Sequence, residues 1–231
     1  MADAGTADAP LIDISIPLGA HTVPWPGDVP FSCGWSCRKE EGASINLGVL
    51  THSPHVGTHA DAPLHVESAW GASESLPAAV FVGPCVVIAL PPEHDLRDDI
   101  SPTLLASLLD ASLSGASPPP RVLLRTGHSI ASGQFPEDWP ALSLDAVAWL
   151  MAHGVRLWGS DAPSADRRES KTLPVHHALF AGGAYVLENL ALDGVALGAY
   201  ELLAQPLAVV GADAAPLRAL LRAQRRVGSR E

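Results

Sequence analysis

Two stretches near the start of the chain alternate apolar and polar residues. The alternation covers Leu11 to Pro17 and much of residues 44–51, and a two-residue repeat is typical of half-buried strands. Between them lies Trp25-Pro-Gly-Asp28, with further prolines on either side. So many residues that break regular structure indicate a functional loop. We therefore predict two strands separated by a long irregular segment.

Continuous apolar runs predict buried strands further along the chain. Each run is short and most are bounded by proline or glycine. They cover residues 85–90, 121–126, 155–158, 184–187 and 207–210.

Three helices are predicted between these strands. Ser101-Pro102 supplies a cap and a first-turn proline ahead of leucines spaced three and four apart. A second helix covers 143–153 and ends at Gly154, and a shorter one lies near 175–181 before Gly182-Gly183. Strands and helices together predict a mixed α/β fold.

The composition fits one domain. Of 231 residues, 47% are hydrophobic and 17% charged, which suffices for one sizeable core. We predict a disordered lead over 1–10, the domain over 11–216 and a basic tail over 217–231. The longest apolar run, around Cys85, is too short to span a membrane.

Charge and cysteine content narrow the partners and the compartment. A net charge of −11 argues against nucleic acid, which is bound mostly through clustered Lys and Arg. Three cysteines cannot all pair within the chain, and residues 1–10 lack the features of a signal peptide. These observations predict a cytoplasmic protein.

The strongest chemical signal is the pattern His55-x-x-x-His59-x-Asp61-x-x-x-His65. Imidazole nitrogen and carboxylate oxygen are ligand types suited to zinc and similar divalent ions. Prolines and Gly57 make a helix implausible here. In an extended segment His59 and Asp61 point the same way, and a turn at Gly57 can fold His55 back toward them.

Other motifs carry less weight. Cys33 and Cys37 have no second cysteine pair to complete a zinc site. A serine hydrolase needs Gly-x-Ser-x-Gly, and the nearest segment, Gly127-His-Ser129-Ile-Ala131, lacks the second glycine. The histidine and aspartate pattern therefore remains the strongest functional signal in the sequence.

The motif His55-x-Gly-Thr-His59-x-Asp61-x-Pro-x-His65 resembles that of the cyclase-like hydrolases, the family of the bacterial kynurenine formamidases. The resemblance continues in order along most of the chain. Its further segments are Trp25-Pro-Gly-Asp28, 121–126, 160–164, 170–173, 176–180 and Leu187-Glu-Asn-Leu190.

This resemblance implies a fold, a site and an activity. The fold would be a single α/β domain of the swivelling β/β/α type, with a mixed, barrel-like central sheet flanked by helices. The activity would be hydrolysis of N-formyl-L-kynurenine, a small aromatic amide of tryptophan degradation, by a homodimer. Two divalent ions per subunit, zinc or alternatively manganese, would be the cofactors.

The residue roles follow from the same resemblance. His55, His59 and Asp61 would bind one ion, and Asp61 would bridge to a second. The remaining roles are His176 on the second ion, Glu188 bridging the pair, His65 as proton donor and acceptor, and Trp25 against the aromatic ring. His177, next to His176 on a helix, would point away from the ions.

Two alternatives remain open from the sequence. A related hydrolase of cyclic amides such as isatin would use the same ions and a different pocket. A non-catalytic metal-binding protein on the same scaffold would have a closed coordination shell.

Overall fold

The computed structural model describes residues 10–223, which form one domain around a curled, half-barrel sheet. The mixed sheet has nine strands in the order β1-β11-β9-β5-β6-β7-β8-β4-β10, and β2 and β3 form a separate hairpin. The strands are β1 Leu11–Asp13, β2 Ser32–Cys37, β3 Leu47–Thr51, β4 His59–Asp61, β5 Val82–Ala89, β6 Arg121–Arg125, β7 Leu157–Ser160, β8 Tyr185–Glu188, β9 Gly198–Leu203, β10 Ala214–Pro216 and β11 Leu220–Ala223. The helices are α1 Pro102–Leu113, α2 Leu144–Ala152 and α3 Pro174–Ala181.

The centre of the sheet is parallel. Strands β5, β6, β7 and β8 pair in that order, with one helix in each connection. Beyond β8 the direction reverses, because β4 pairs antiparallel with β8 and β10 pairs antiparallel with β4. The predicted mixed α/β architecture is confirmed.

Both faces of the central strands are covered. Val86 and Ile88 of β5 pack in a cluster with the helices, whereas Cys85 and Val87 pack in a second cluster inside the curl of the sheet. A strand that is buried on both faces consists almost entirely of apolar residues and does not alternate with polar ones. This explains why β5 and β6 are recognisable as continuous apolar runs.

The helix predictions are confirmed within one residue at their starts. Ser101 caps α1 and Ser143 caps α2, each accepting a hydrogen bond from the backbone three residues on. Pro174 occupies the first turn of α3. None of the helices among residues 10–223 is long and apolar enough to cross a membrane.

Several strand predictions were wrong. Residues 207–210 are apolar but form no strand, and Val210 is 85% exposed. The segment predicted to be irregular contains β2, which pairs with β3 in an exposed hairpin instead of a half-buried one. Strands β9, β10 and β11 were not predicted from the sequence.

The boundary predicted at residue 217 also falls inside the fold. Leu220–Ala223 forms β11, which pairs with both β9 and β1. Leu221 is fully buried, so the start of the predicted basic tail belongs to the sheet. The rest of that tail and most of the predicted 1–10 lead lie outside the described residues.

Candidate metal centre

Strand pairing brings three acidic or imidazole side chains onto one face of the sheet. In the antiparallel pair β4 and β8, His59 lies directly opposite Glu188. Asp61 is two residues after His59, so both project from the same face. All three are buried.

The turn before β4 adds His55 to this face. Gly57 has a φ of +71°, a left-handed backbone conformation that favours glycine. Thr58, which follows Gly57, is held in place by its hydroxyl, which donates a hydrogen bond to Asn189 O at 2.6 Å and accepts one from Ile16 N at 2.8 Å. The predicted fold-back of His55 toward His59 and Asp61 is confirmed.

The first group of potential ligands is a tight triangle. Nδ1 of His55 lies 3.1 Å from Nε2 of His59 and 3.1 Å from Oδ1 of Asp61. Nε2 of His59 lies 3.2 Å from the same oxygen. Ligand atoms about 2.0 to 2.2 Å from a tetrahedral zinc ion stand at similar separations.

The second group shares Asp61. Oδ2 of Asp61 lies 3.0 Å from Nε2 of His176, and Oε1 of Glu188 lies 3.1 Å from that nitrogen. His176 is in the first turn of α3 and is buried. The two oxygens of Asp61 thus face two different groups, His55 with His59 and His176 with Glu188.

Each of the three histidines has its other ring nitrogen anchored. Nδ1 of His59 lies 2.9 Å from Gly57 O, and Nδ1 of His176 lies 2.7 Å from Oδ2 of Asp166. Nε2 of His55 lies 3.0 Å from Oδ2 of Asp213. Such outer contacts fix the tautomer that turns a bare nitrogen toward a metal ion.

Carboxylates and imidazoles shift one another's pKa values strongly. Burial alone would lower the pKa of both His55 and His59. The nearby carboxylates of Asp213 and Asp61 nevertheless raise the pKa of His55 to about 10, and the charge of Asp61 raises the pKa of His59 to about 9. Burial would raise the pKa of Asp61, but the neighbouring imidazoles hold it well below its usual range. The cluster therefore attracts positive charge.

The arrangement fits divalent cations better than protons. Asp61 Oδ1 is buried, yet no hydrogen bond of good geometry reaches it from the described residues. The two ring nitrogens nearest to it are 3.1 Å apart, a distance at which two protonated rings repel. One ion between these three atoms would remove the repulsion and satisfy the oxygen.

A cavity of about 270 Å³ opens onto this centre. His55, Glu188 and His65 reach its wall. The rest of the wall is largely apolar and includes Trp25, which packs edge-to-face against Phe135 with ring centroids 5.2 Å apart. The further lining residues are Val23, Asp28, Ile130, Pro163, Ser164, Leu173 and Asn189.

His65 lies beside the two groups rather than within either of them. It ends the short helical turn Pro63–His65 after β4. Its ring stands 4.4 Å from that of His55 and 5.9 Å from that of His176, measured between centroids. Its Nδ1 lies 3.4 Å from Asp213 Oδ2.

The structure thus brings all seven sequence-predicted site residues to one cavity or its floor. His177 points elsewhere and contacts the Trp70 ring at 5.6 Å. Sequence reasoning missed Asp166 and Asp213, since neither stands in a motif. Only the strand order, with Ala214 of β10 opposite Asp61, carries Asp213 to the site.

Comparisons with known proteins agree with this arrangement. The model of a family described as putative cyclase matches residues 12–167. A kynurenine formamidase of Bacillus cereus is 43% identical over 91% of this chain and 96% of its own.

Solved structures give the same answer for the fold. A predicted metal-dependent hydrolase from Bacillus stearothermophilus is 28% identical, with a TM-score of 0.74 over 93% of this chain and 98% of its own. Isatin hydrolase A from Labrenzia aggregata is 25% identical, with a TM-score of 0.77 over 92% and 93% of the two chains.

Proposed function

The chain belongs to the cyclase family, and from this premise we propose that it is an arylformamidase, hydrolysing N-formyl-L-kynurenine to L-kynurenine and formate in tryptophan degradation. The relative that is 43% identical over nearly its whole length is a kynurenine formamidase. The observation that carries the proposal is the pair of ligand groups sharing Asp61 at the floor of an aromatic cavity.

The ligand assignment uses both oxygens of Asp61. His55, His59 and Asp61 would hold one divalent ion, and His176 with the second oxygen of Asp61 would hold another. Glu188 would contribute to both groups, since Oε2 is 3.5 Å from His59 Nε2 and Oε1 is 3.1 Å from His176 Nε2. Nitrogen and oxygen ligands suit zinc, with manganese as the alternative.

Divalent ions bound there would polarise the formyl carbonyl and lower the pKa of a bound water. The chain's own residues orient the substrate around them. Trp25 and Phe135 contact the aryl ring, which keeps the formyl group over the ligand atoms. The apolar wall excludes bulk water and strengthens electrostatic interactions at the reacting carbon.

His65 is the general acid that protonates the leaving group. Since its Nδ1 faces Asp213, Nε2 is the nitrogen available to substrate. An anilide anion is a poor leaving group at neutral pH, so Nε2 of His65 donates its proton to the departing aryl nitrogen. General acid catalysis of this kind contributes roughly 10² to 10⁴ in rate.

The proposal is tested with N-formyl-L-kynurenine and isatin as parallel substrates. Metal-replete protein should release kynurenine and formate from the first far faster than it opens the second. Treatment with a chelator should abolish the activity, and added Zn²⁺ or Mn²⁺ should restore it. Chelator-resistant hydrolysis, or no kynurenine from replete protein, would contradict the assignment.

The second candidate is hydrolysis of a cyclic amide. The similarity to isatin hydrolase A favours it, and faster turnover of isatin than of N-formyl-L-kynurenine in the same assay would establish it. A non-catalytic metal-binding protein is disfavoured by the cavity, which reaches three of the residues at the centre.

We further propose a homodimer in which the β2–β3 hairpin contacts a second copy of this chain. The hairpin exposes Trp35, Val49 and Leu50, and Leu50 is 61% exposed. Apolar side chains clustered on a hairpin outside the main sheet are typical of an interface. Leu50→Asp should halve the molar mass in light scattering, whereas Leu197→Asp, on an exposed position elsewhere, should leave it unchanged.

The proposed compartment is the cytoplasm. Cys33, Cys37 and Cys85 are all free thiols, and reducing conditions preserve them.

A further inference from the structure

Asp213 links two histidines of the candidate centre through a single oxygen. Its Oδ2 lies 3.0 Å from Nε2 of His55 and 3.4 Å from Nδ1 of His65. His55 faces Asp61 through its other ring nitrogen, and His65 lines the cavity. The carboxylate therefore touches both a potential metal ligand and the neighbouring acid-base candidate.

The fold holds Asp213 in place through its backbone. Its carbonyl accepts a hydrogen bond of 2.9 Å from Ala62 N, in register with the pairing of Ala214 and Asp61. The side chain contacts both rings, and it remains 45% exposed.

We propose that Asp213 is a positioning residue that orients the His65 ring, keeping the proton of neutral His65 on Nδ1 and presenting Nε2 to the substrate. This rests on the proposed function. A carboxylate that accepts from one ring nitrogen fixes the tautomer and leaves the other nitrogen as the base. Nε2 can then take the proton that the attacking water gives up, hold it as the imidazolium and deliver it to the aryl nitrogen as the C–N bond breaks.

The size of the effect follows from the geometry. The contact between Asp213 and His65 is long and half-exposed, which makes it weaker than a buried carboxylate and imidazole pair. We expect Asp213→Asn to lower kcat about tenfold to a hundredfold with little change in KM. The loss should be larger for formanilides with poor leaving groups than for those with good ones, because only the former depend on the proton from His65.

A double-mutant cycle separates action through His65 from action through His55. In a His65→Ala background, Asp213→Asn should cause no further loss of kcat when all the proteins are assayed at saturating metal, because Asp213 also contacts His55. An equal loss of kcat in both backgrounds at full metal occupancy would overturn the proposal, because the effect would then not pass through His65. Asp99→Asn, which alters another exposed carboxylate, serves as the matched control.

Imidazole nitrogen shifts of His65 provide a readout that does not depend on turnover. In zinc-loaded wild-type protein, ¹⁵N spectra should show His65 protonated at Nδ1, and Asp213→Asn should remove this preference. An unchanged His65 spectrum would overturn the positioning role. If the wild type fails to release kynurenine, the proposed function falls, while the spectrum still decides the role of Asp213.

Discussion

Replacing Asp166 with asparagine tests whether outer contacts hold the second ligand group together. Both oxygens of Asp166 are occupied by donors. Oδ2 accepts from the His176 backbone at 3.0 Å and lies 2.7 Å from its Nδ1, while Oδ1 accepts from Val175 N at 3.0 Å. An amide has only one acceptor oxygen, so at least one buried donor is left unpaired.

The magnitude has two parts. An unpaired buried donor costs about 1 to 3 kcal/mol of folding free energy, and this loss appears whether or not ions are bound. Weaker anchoring of a liganding histidine costs about tenfold to a hundredfold in metal affinity, which is about 1.4 to 2.8 kcal/mol. Asp166→Asn should therefore release one of its two ions at a lower chelator concentration than the wild type does.

Chelator competition measures the affinity, and thermal unfolding of the metal-free proteins measures the folding cost. Asp99→Asn is the control, since Asp99 is an exposed partner of Arg167 and surface ion pairs contribute at most about 1 kcal/mol. Wild-type affinity for both ions in Asp166→Asn would refute the reasoning from outer contacts.

Three further predictions follow from the same geometry. His65→Ala should keep its metal and lose roughly 10² to 10⁴ in kcat, whereas Asp61→Ala should lose metal as well, as elemental analysis of both variants would show. Trp25→Ala should raise KM for N-formyl-L-kynurenine more than it lowers kcat in steady-state kinetics, because in the proposed complex the indole contacts the ring and not the reacting bond; an unchanged KM would remove that role. The metal-free protein should lose stability as pH rises from about 6.5 through 9 to 10, because the folded-state pKa values of His59 and His55 are raised to about 9 and about 10 above the unfolded value of about 6.5. Denaturant melts across this range should show the decline, and the metal-loaded protein, whose ions replace those protons, should not follow it.

Local sequence patterns were sufficient to predict the part of the site that lies between His55 and His65. The spacing of His59 and Asp61 in an extended segment, and the turn at Gly57, are both properties of neighbouring residues. The first two helices could also be predicted from neighbouring residues, since Ser101 and Ser143 cap them from adjacent positions.

The remainder depends on contacts between distant residues. Asp213 reaches His65 across 148 positions of sequence, and only the antiparallel pairing of β10 with β4 makes that contact. His176 and Glu188 were identified by family resemblance, because a histidine on a helix and a glutamate in an apolar strand do not by themselves reveal a shared ion. The exposed run at 207–210 shows the converse, that apolar residues without a pairing partner do not form a strand.

Titration of metal-free protein with Zn²⁺ or Mn²⁺ tests the central claim most directly, with bound ions and kynurenine release measured on the same samples. The two groups joined by Asp61 predict that binding saturates at two ions per chain and that activity rises with occupancy to a plateau at that point. Full kynurenine release from protein without bound ions, or ions that bind equally well to Asp61→Ala, would contradict the account.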